Sequence, residues 1–360
     1  MTIAFVIEKL RGGGAERITA ALANEFCKNE PNEIHIIVFS RQPDIDYSTD
    51  PRLHWHVLSD TSGGRWKKIA SKYFFLRNTI HKIAPQCVIS LAIPRTTALL
   101  VLSMLGQRIP LILSERNDPE QFPTTKIWRK IRDLTYKIAD GVVFQTEDAR
   151  DHFTKNIKSK SAVISNPITA SLPVPYTGQR NQRIVNFCRL VPQKNLDLLI
   201  DSFSDISAEL SDYILEIYGD GPEKKRLEDK VRMLNLDHRV VFRGHSEHIY
   251  EDIHQAALFV SSSDYEGISN SMLEAIAMGI PTICTDCPAG GARQTINNGN
   301  NGILVPVRDR KALSAAMKNV LNDKKMCEDL SKAGSRLREE LSVEVIAKKW
   351  LDFVVKTMKA

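Results

Sequence analysis

The sequence AALFVSSSDYEGISNSMLEAIAMGIP, residues 256–281, joins a short apolar run, a polar turn and an apolar helical segment. The apolar run is typical of a buried β-strand. Gly279 and Pro281 are expected to end the helical segment, because glycine tolerates the left-handed conformation that closes helices and proline cannot continue one. The pattern therefore predicts Glu266 in the loop after the strand and Glu274 about two turns into the helix.

The same alternation of strand and helix extends in both directions and predicts βα units around mostly parallel sheets. In the first half we expect strands at residues 3–7, 34–39, 53–57, 87–91, 111–114, 142–145 and 162–164. In the second half we expect strands at residues 184–188, 214–218, 240–242, 258–260, 282–284 and 303–305. Residues 166–183 separate the two series, and their three prolines and missing aliphatic periodicity are typical of a linker.

The sequence thus predicts an α/β fold of two Rossmann-like, doubly wound domains. We place the first at residues 1–170 and the second at residues 184–342, with a C-terminal helix at 343–360 that crosses back to the first domain. In such sheets ligands bind beyond the carboxyl ends of the strands, so the working site is expected in a central cleft that both domains face.

Composition excludes several classes of protein. With 42% apolar and 26% charged residues, the chain of 360 residues is neither disordered nor fibrous. Its longest apolar run, residues 97–106, is shorter than the about 20 residues that cross a bilayer. The first residues have a strand pattern without a cationic lead, so we expect no secretory signal and a cytoplasmic location. Cys284 and Cys287 form a C-x-x-C, but no second ligand pair accompanies it, which disfavours a redox or zinc role.

The net charge of +6 is unevenly distributed. Residues 61–114 carry eight Lys or Arg side chains and no Asp or Glu. An acid-free stretch of this length indicates an anionic partner, such as a membrane surface or, as the non-enzyme alternative, a nucleic acid.

Several glycine-rich or cationic turns follow predicted strands. The first, RGGGAERITAAL at residues 11–22, opens a helix, where glycines and free backbone N–H groups favour anions. The second, CRLVPQKN at residues 188–195, places Arg189 and Lys194 around a proline turn, and two cations there suit a diphosphate. The turns IYGDGPEKKRL and TDCPAGGARQT, from residues 217 and 285, are further candidates. The first turn alone is equally compatible with a purely structural loop, and for the turns from residues 188 and 217 taken alone the structural interpretation is favoured.

The two carboxylates of residues 266–274 have three possible roles. A glycosidase needs its two acids about 5–10 Å apart, whereas eight residues of helix span about 12 Å. Separate contacts to one elongated ligand fit better, with one acid on a sugar and the other on a ribose. A structural role also stays open, in which Glu266 caps the helix and Glu274 forms an ordinary surface pair.

In their order along the chain, these segments resemble the retaining glycosyltransferases of family 4, which have the two-domain GT-B fold. The resemblance extends through GGGAER, SERNDP, VVFQTEDA, ISNP, RLVPQKN, YGDGP, EGISNSMLEAIAMGIP and NGILVPV, and it covers essentially the whole chain. The chain is most similar to bacterial enzymes that add hexoses or N-acetylhexosamines to lipid-linked oligosaccharides, including O-antigen N-acetylgalactosaminyltransferases.

The resemblance implies a role for each matching residue. Glu266 would meet the donor sugar, Glu274 the ribose, and Arg189 and Lys194 the diphosphate, with Arg116 as a further catalytic residue. The remaining donor-binding residues would be Gly13, Gly14, Gly219, Gly267, Ile268, Ser269 and Asn270. The acceptor-binding residues would be Glu16, Arg65, Lys68, Lys72, Arg77, Glu115 and Asn117. No metal or other cofactor is expected.

Two positions depart from the family pattern. Cys188 stands where the family usually has Gly before the diphosphate Arg, and Arg116 stands where related enzymes often carry His. A retaining transfer needs no protein base if the leaving phosphate accepts the acceptor proton, so stabilisation of that phosphate would be the main catalytic effect. We expect Arg116 or Glu115 to position hydroxyl groups of the acceptor or donor.

The segment GGRWKKIASKYFFLRNTIHKI, residues 63–83, has the pattern of a basic helix with interleaved aromatic residues. Such a face can hold a protein on an anionic membrane, here the cytoplasmic face of the inner membrane. In related enzymes the matching helix contacts the diphosphate of a polyprenyl carrier. The alternative is a solvated basic helix whose aromatic residues lie in the core.

The favoured interpretation is a transferase that moves a sugar, N-acetylgalactosamine from UDP-GalNAc by subfamily likeness, to a polyprenyl-diphosphate-linked saccharide for a surface polysaccharide. UDP-galactose, UDP-N-acetylglucosamine and GDP-mannose stay open as donors. A metal-dependent transferase would need an Asp-x-Asp at a strand end, and the match at Asp44-Ile45-Asp46 follows Pro43 in a loop. A sugar-nucleotide epimerase is disfavoured, because its glycine fingerprint and its Tyr-x-x-x-Lys motif are missing from the expected places. A nucleic-acid-binding module lacks an RNA-binding motif, so no nucleic acid partner is expected.

Overall fold

The computed structural model describes residues 1–29, 31–41, 47–58 and 63–359. The chain divides into two compact units, Met1–Pro167 with Val343–Ala360 and Ile168–Ser342. The division falls within the segment predicted as a linker. Asp44-Ile45-Asp46 lies outside the described residues.

Among its described residues, the first unit is built on a seven-stranded sheet with the order β3-β2-β1-β4-β5-β6-β7. Its strands are β1 (Thr2–Ile7), β2 (Glu33–Val38), β3 (His54–Val57), β4 (Cys87–Ser90), β5 (Leu111–Glu115), β6 (Gly141–Phe144) and β7 (Ser161–Val163). Every pair of neighbouring strands is parallel. The strand order reverses between β1 and β4, and a reversal of this kind opens a crevice at the carboxyl edge of the sheet.

Within the described ranges of this unit, six helices connect these strands. They are α1 (Gly14–Lys28), α2 (Arg65–Ile83), α3 (Pro94–Met104), α4 (Lys126–Ile138), α5 (Glu147–Asp151) and α6 (Lys155–Ser159). Helix α3 packs between α2 and α4. The loop after β5, residues 116–125, leads directly into α4.

The second unit contains a six-stranded sheet with the order β10-β9-β8-β11-β12-β13. Its strands are β8 (Asn181–Phe187), β9 (Ile214–Tyr218), β10 (Val240–Gly244), β11 (Ala256–Ser261), β12 (Thr282–Thr285) and β13 (Ile303–Val305). These strands are also parallel, and the order reverses between β8 and β11. Strand β8 begins at Asn181 and so extends into the segment predicted as a linker, where polar residues continue the pairing with β9 and β11.

The helices of the second unit cover both faces of its sheet. They are α7 (Leu196–Ile206), α8 (Lys224–Met233), α9 (Ile249–Ile253), α10 (Asn270–Ala277), α11 (Gly291–Thr295), α12 (Arg310–Asn322), α13 (Lys324–Gly334) and α14 (Leu337–Glu340). Phe203 of α7 and Met317 of α12 pack on one side with Leu258 of β11. Met272 of α10 packs on the other side with Phe259. Burial on both faces explains why these strands read as continuous apolar runs.

The last helix, α15 (Val343–Lys359), belongs to the first unit and packs against α1. Trp350 is fully buried there, and the Phe353 ring lies against Gly141 of β6. Among the helices of the described residues, none has both the length and the hydropathy that a bilayer span needs.

Candidate functional site

In the second unit, the loops after β8 and β11 meet at the carboxyl edge of the sheet. These two strands are neighbours at the reversal of strand order, so their loops emerge side by side. The Gln193 side chain donates to the Tyr265 carbonyl at 2.8 Å, and the Asp264 N–H donates to the Gln193 carbonyl at 2.9 Å. The Ser262 hydroxyl donates to the Lys194 carbonyl at 2.9 Å. The hydrogen bonds fix the two loops relative to each other.

Lys194 and Glu266 form an ion pair between these loops. The Lys194 Nζ lies 2.5 Å from Glu266 Oε2, and the two side chains are 13% and 20% exposed. The Ser263 hydroxyl also donates to Glu266 Oε2, at 3.3 Å. The structure therefore places Lys194, predicted to bind the diphosphate, in direct contact with Glu266, predicted to bind the sugar.

The pair keeps Lys194 charged. Burial lowers the pKa of Lys194, but the Glu266 carboxylate opposes this effect and the net direction is upward. A permanently charged ammonium at neutral pH is the state that binds a phosphate. Burial also raises the pKa of the neighbouring Cys188 thiol to about 12, so Cys188 is a neutral, half-buried side chain at the position where the family pattern has Gly.

Arg189 lies at the start of the same loop and is exposed. Within the described part of the chain, its guanidinium has no ion-pair partner. The turn after β9 holds the backbone at this position: a Cβ at Gly219, whose φ is +119°, would lie 1.9 Å from the Cys188 carbonyl oxygen. Gly219 therefore packs closely against the loop that carries Arg189. The Arg189 guanidinium and the Lys194 ammonium together give this loop a positive charge.

Helix α10 starts just beyond Glu266. The Ser269 hydroxyl accepts from the Met272 N–H and caps the helix, so Glu266 does not serve as the cap. Glu274 is the fifth residue of the helix, one turn earlier than predicted, because the helix begins only at Asn270. Its side chain is 3% exposed, which is incompatible with an ordinary surface pair.

The backbone between Glu266 and the helix is closely packed. A Cβ at Gly291, at the start of α11, would lie 1.8 Å from the Gly267 carbonyl oxygen. Ile268 and Ser269 are both buried. The glycine turn of residues 290–291 therefore supports the segment from Gly267 to Asn270, which places the start of α10 at the edge of the sheet.

In the first unit, the glycine-rich loop leads from β1 into α1. Gly13 is the N-cap residue, with no side-chain cap, and Gly14 is the first helical residue. The Glu16 carboxylate folds back over Gly13, where a Cβ would lie 2.0 Å from Glu16 Oε2. The Tyr47 hydroxyl donates to the Gly13 carbonyl at 3.1 Å. The loop is thus ordered, with a carboxylate over the helix start.

Glu115, at the end of β5, is enclosed by donors. Its Oε2 lies 3.3 Å from Arg132 Nη1 and accepts from the Tyr136 hydroxyl at 3.3 Å, while its Oε1 accepts the N–H groups of Arg116 and Asn117. Burial raises the pKa of Glu115 to about 7, and Arg132 only partly opposes this rise. In this conformation Glu115 organises the loop after β5, and its carboxylate makes its contacts inside the unit.

Arg116 is half-buried beside this network. Its guanidinium donates to the Asn166 side chain, which also accepts from Gln145 at 2.6 Å. Burial lowers the pKa of Arg116 to about 10, which leaves it cationic at neutral pH. The Asn117 side chain accepts the Asp118 N–H at 2.8 Å and so belongs to the turn itself.

The basic residues of α2 divide into two groups. Arg65 and Lys68 are exposed and, among the described residues, have no ion-pair partner. Lys72 lies 3.4 Å from Glu8, and Arg77 donates to the carbonyls of Ser103 and Leu105 at the end of α3, at 3.0 Å each. The second group therefore has internal contacts that the sequence interpretation did not predict.

The aromatic residues of α2 do not all lie in the core. Trp66 is 80% exposed and Phe74 is 58% exposed, whereas Tyr73 and Phe75 are half-buried. A solvated helix with all its aromatic residues in the core is therefore excluded.

The two thiols of the C-x-x-C are withdrawn from solvent. Cys284 and Cys287 are buried free thiols, and burial raises the pKa of both, that of Cys287 to about 12. Across residues 1–29, 31–41, 47–58 and 63–359, no group of three or more His, Cys, Asp or Glu side chains is arranged to hold a metal ion.

The sequence interpretation missed the residues that hold the two loops of the second unit together. Asn195 has a positive φ of 43°, caps α7 and donates to Asp264 at 2.8 Å, and Arg308 also binds Asp264, at 2.7 Å. Nothing in the spacing of these residues indicates the contact. The observed order of the strands in the sheet places the two loops next to each other.

Two family descriptions match the chain, one in each half. "Glycosyltransferase Family 4" matches residues 12–172, and "Glycosyl transferases group 1" matches residues 178–337. The second range contains the Lys194–Glu266 pair and α10.

Individual relatives are similar over nearly the whole chain. An alpha-1,4-N-acetyl-D-galactosaminyltransferase of Campylobacter jejuni, named for the acceptor GalNAc-alpha-(1->4)-GalNAc-alpha-(1->3)-diNAcBac-PP-undecaprenol, is 24% identical over 370 residues and covers 100% of both chains. An N-acetylgalactosamine-N,N'-diacetylbacillosaminyl-diphospho-undecaprenol 4-alpha-N-acetylgalactosaminyltransferase of the same organism is 25% identical, over 89% of this chain and 90% of its own. The crystal structure of HepE from Anabaena with UDP and glucose has a TM-score of 0.83 at 18% identity, over 99% of this chain and 100% of its own.

Proposed function

Because this chain is a glycosyltransferase with the GT-B fold, belonging to family 4 in its first half and to group 1 in its second, we propose that it transfers an N-acetylhexosamine or hexose from a nucleotide sugar to a polyprenyl-diphosphate-linked saccharide. The donor that we favour is UDP-GalNAc, and the product would enter a bacterial surface polysaccharide. Two Campylobacter relatives that are N-acetylgalactosaminyltransferases acting on undecaprenyl-diphosphate-linked saccharides support the choice of sugar and acceptor.

The observation that carries the proposal is the Lys194–Glu266 pair at the carboxyl edge of the second sheet. A nucleotide sugar has an anionic diphosphate joined to a sugar with several hydroxyl groups. Lys194 and the free Arg189 would bind the diphosphate, and the adjacent Glu266 would accept hydrogen bonds from the sugar. Glu274, one turn into α10, would hold the ribose, and the backbone from Gly267 to Asn270 would complete the donor site.

The reaction that we propose retains the anomeric configuration. The bond between the anomeric carbon and the β-phosphate oxygen breaks, and the acceptor oxygen forms its bond to the anomeric carbon on the same face. The acceptor proton passes to the departing phosphate oxygen, so UDP is the leaving group. Arg189 and Lys194 stabilise the charge that develops on this oxygen, an effect that needs no metal ion in our proposal.

The experiment that tests this function is a donor screen. The full chain is incubated with UDP-GalNAc, UDP-galactose, UDP-N-acetylglucosamine or GDP-mannose and a lipid-linked saccharide, with EDTA present in half of the reactions. We expect release of UDP and an acceptor heavier by one N-acetylhexosamine, with the same rate in EDTA. Failure of every donor to give a product contradicts the proposal, and a rate that collapses in EDTA contradicts its metal-independence.

We further propose that α2 holds the enzyme on an anionic membrane. Arg65, Lys68 and Trp66 are exposed together at its first turns, where cations meet lipid phosphates and an aromatic ring enters the interface. Each cation near such a surface contributes about 1 kcal/mol, so replacement of Arg65 and Lys68 by Gln should weaken binding to anionic liposomes about thirtyfold.

The matched control replaces two exposed lysines of α13, Lys324 and Lys325, by Gln, because this double variant loses the same charge on a helix of the second unit. The test is sedimentation with liposomes of increasing phosphatidylglycerol content. Equal losses of binding in the two double variants would contradict a specific role for α2.

A further inference from the structure

A cavity opens in the first unit between the ends of β4 and β5. It has a volume of about 470 Å³, in the range of about 300–1,000 Å³ that is typical of ligand sites. Its apolar lining comes from the start of α3, the loop after β5 and the start of α4, and consists of Ile93, Pro94, Phe122, Pro123, Ile127 and Trp128. None of the residues discussed above as donor- or acceptor-binding lines this cavity.

The wall of the cavity is held in place by two arginine side chains, one buried and one half-buried. Arg132, which is 1% exposed, donates to the carbonyls of Pro119 and Phe122 at 2.8 Å each. Arg129 donates to the Pro123 carbonyl at 2.7 Å. The loop after β5 is therefore fixed on both sides of Phe122, and the cavity exists before any ligand binds.

The rim of the cavity exposes apolar surface that packing would normally bury. Ile127 is 70% exposed and Ile93 is 46% exposed, and both side chains line the opening. Clustered exposed apolar residues around a concave site indicate a ligand with an apolar body. A saccharide would need several hydrogen-bonding groups, but apart from Arg95 the polar side chains of this lining are the hydroxyls of Thr124 and Thr125.

The charge at the opening is positive. The Arg95 guanidinium lies 5.3 Å from the centre of the Trp128 ring and, within the described residues, has no carboxylate partner. Among the described residues that line the cavity there is no Asp or Glu. An apolar pocket with one unpaired cation at its mouth suits an amphiphile whose apolar chain ends in an anionic group.

The loop after β5 joins this cavity to the predicted acceptor residues. Arg116 and Asn117 stand at its start, whereas Phe122 and Pro123 form the cavity wall near its end. We infer that the cavity binds the first isoprene units of the acceptor's polyprenyl carrier, with Arg95 on the diphosphate to which they are attached. This inference rests on the proposed function, since it assigns the lipid part of the proposed acceptor.

The test measures binding of labelled farnesyl diphosphate to the full chain by equilibrium dialysis. Ile127→Ser should weaken binding about tenfold, because most of the Ile127 side chain is available for burial by the ligand. Arg95→Gln should weaken it by a similar factor. The matched control is Leu134→Ser, since Leu134 lies on the same helix, is 57% exposed and does not line the cavity.

Both parts of the ligand are needed for tight binding in this account. Inorganic diphosphate and farnesol should each bind at least tenfold more weakly than farnesyl diphosphate, and the Leu134→Ser variant should bind like the wild type. Equal binding of inorganic diphosphate, or equal losses in the Ile127→Ser and Leu134→Ser variants, would overturn the inference.

Turnover separates this inference from the proposed function. Ile127→Ser should raise KM about tenfold for a lipid-linked acceptor and leave kcat unchanged, while an acceptor with a methyl group in place of the lipid shows no change. If no donor supports transfer but farnesyl diphosphate binding still depends on Ile127, the cavity assignment holds and the proposed function fails. If transfer occurs and KM for the lipid-linked acceptor does not depend on Ile127, the cavity assignment alone fails.

Discussion

The Lys194–Glu266 pair predicts a split between binding of the nucleotide and binding of the sugar. If Lys194 binds the diphosphate and Glu266 binds the sugar, Lys194→Met should weaken binding of both UDP and UDP-GalNAc. Glu266→Gln should weaken binding of UDP-GalNAc alone, because UDP has no hexose for the carboxylate to contact. Both variants should reduce turnover.

The expected magnitudes follow from the charges involved. A hydrogen bond to a charged group contributes about 1.5–3 kcal/mol, so each lost contact should raise Kd about tenfold to hundredfold. Lys194→Met also leaves a carboxylate that is 20% exposed without its cation. We expect this loss to reduce the free energy of unfolding by about 2 kcal/mol, less than the about 3–5 kcal/mol for a fully buried pair.

The assay is isothermal titration of the full chain with UDP and, separately, with UDP-GalNAc. Lys230→Met is the matched control, because Lys230 is 18% exposed and pairs with Asp197 and Asp201 elsewhere in the second unit. The raised pKa of Lys194 means that its charge stabilises the pair at neutral pH and is lost only as the pH rises through that pKa. The two titrations should therefore give the same pattern at pH 7 and pH 8.

Two results would refute this reasoning. If Lys194→Met binds UDP as tightly as the wild type, Lys194 does not contact the diphosphate. If Glu266→Gln loses UDP binding to the same extent as Lys194→Met, the pair is a structural unit and the assignment of separate roles is wrong.

Three further predictions concern Gly291, which supports the proposed donor site, and Glu115 and Arg116 at the end of β5. Gly291→Ala should weaken UDP-GalNAc binding at least tenfold, because its Cβ would lie 1.8 Å from the Gly267 carbonyl oxygen and would displace the start of α10; unchanged affinity by titration would show that this backbone does not hold the donor. Glu115→Gln should raise the free energy of unfolding relative to the wild type, and this gain should be about 3 kcal/mol larger at pH 8 than at pH 4. Burial raises the pKa of Glu115 to about 7, so the stability that the protonated carboxyl group contributes in the wild type is lost as the pH rises through this value. Urea unfolding at both pH values measures this difference, and a difference that does not depend on pH would contradict it. Arg116→Ala should raise KM for the acceptor and leave UDP binding unchanged, and full turnover with intact acceptor affinity would exclude a positioning role for Arg116.

The architecture follows from the sequence to a large extent. All thirteen predicted strands are present, because parallel strands buried on both faces give continuous apolar runs that stand out between helical patterns. The ends of elements were less predictable. Strand β8 starts early because its polar first residues pair along the sheet, and α10 starts late because Ser269, which the sequence interpretation did not consider as a cap, supplies it in place of Glu266.

The candidate site was predictable in its residue types but not in its contacts. The sequence places Lys194 and Glu266 in loops that follow strands, but the adjacency of these loops comes from the observed strand order, and their direct pairing depends on backbone turns such as the positive φ of Asn195. The buried partners of Glu115 come from α4, whose inward-facing Arg132 and Tyr136 look like ordinary helical residues in the sequence. Long-range side-chain contacts of this kind have no local signature.

A crystal structure of the chain with bound UDP-GalNAc tests the central claim most directly. The account predicts the diphosphate beside Arg189 and Lys194, the ribose within hydrogen-bonding distance of Glu274, and the hexosamine against Glu266. Density for the nucleotide away from the carboxyl ends of β8 and β11, or a ligand that leaves these four side chains without contacts, would contradict it.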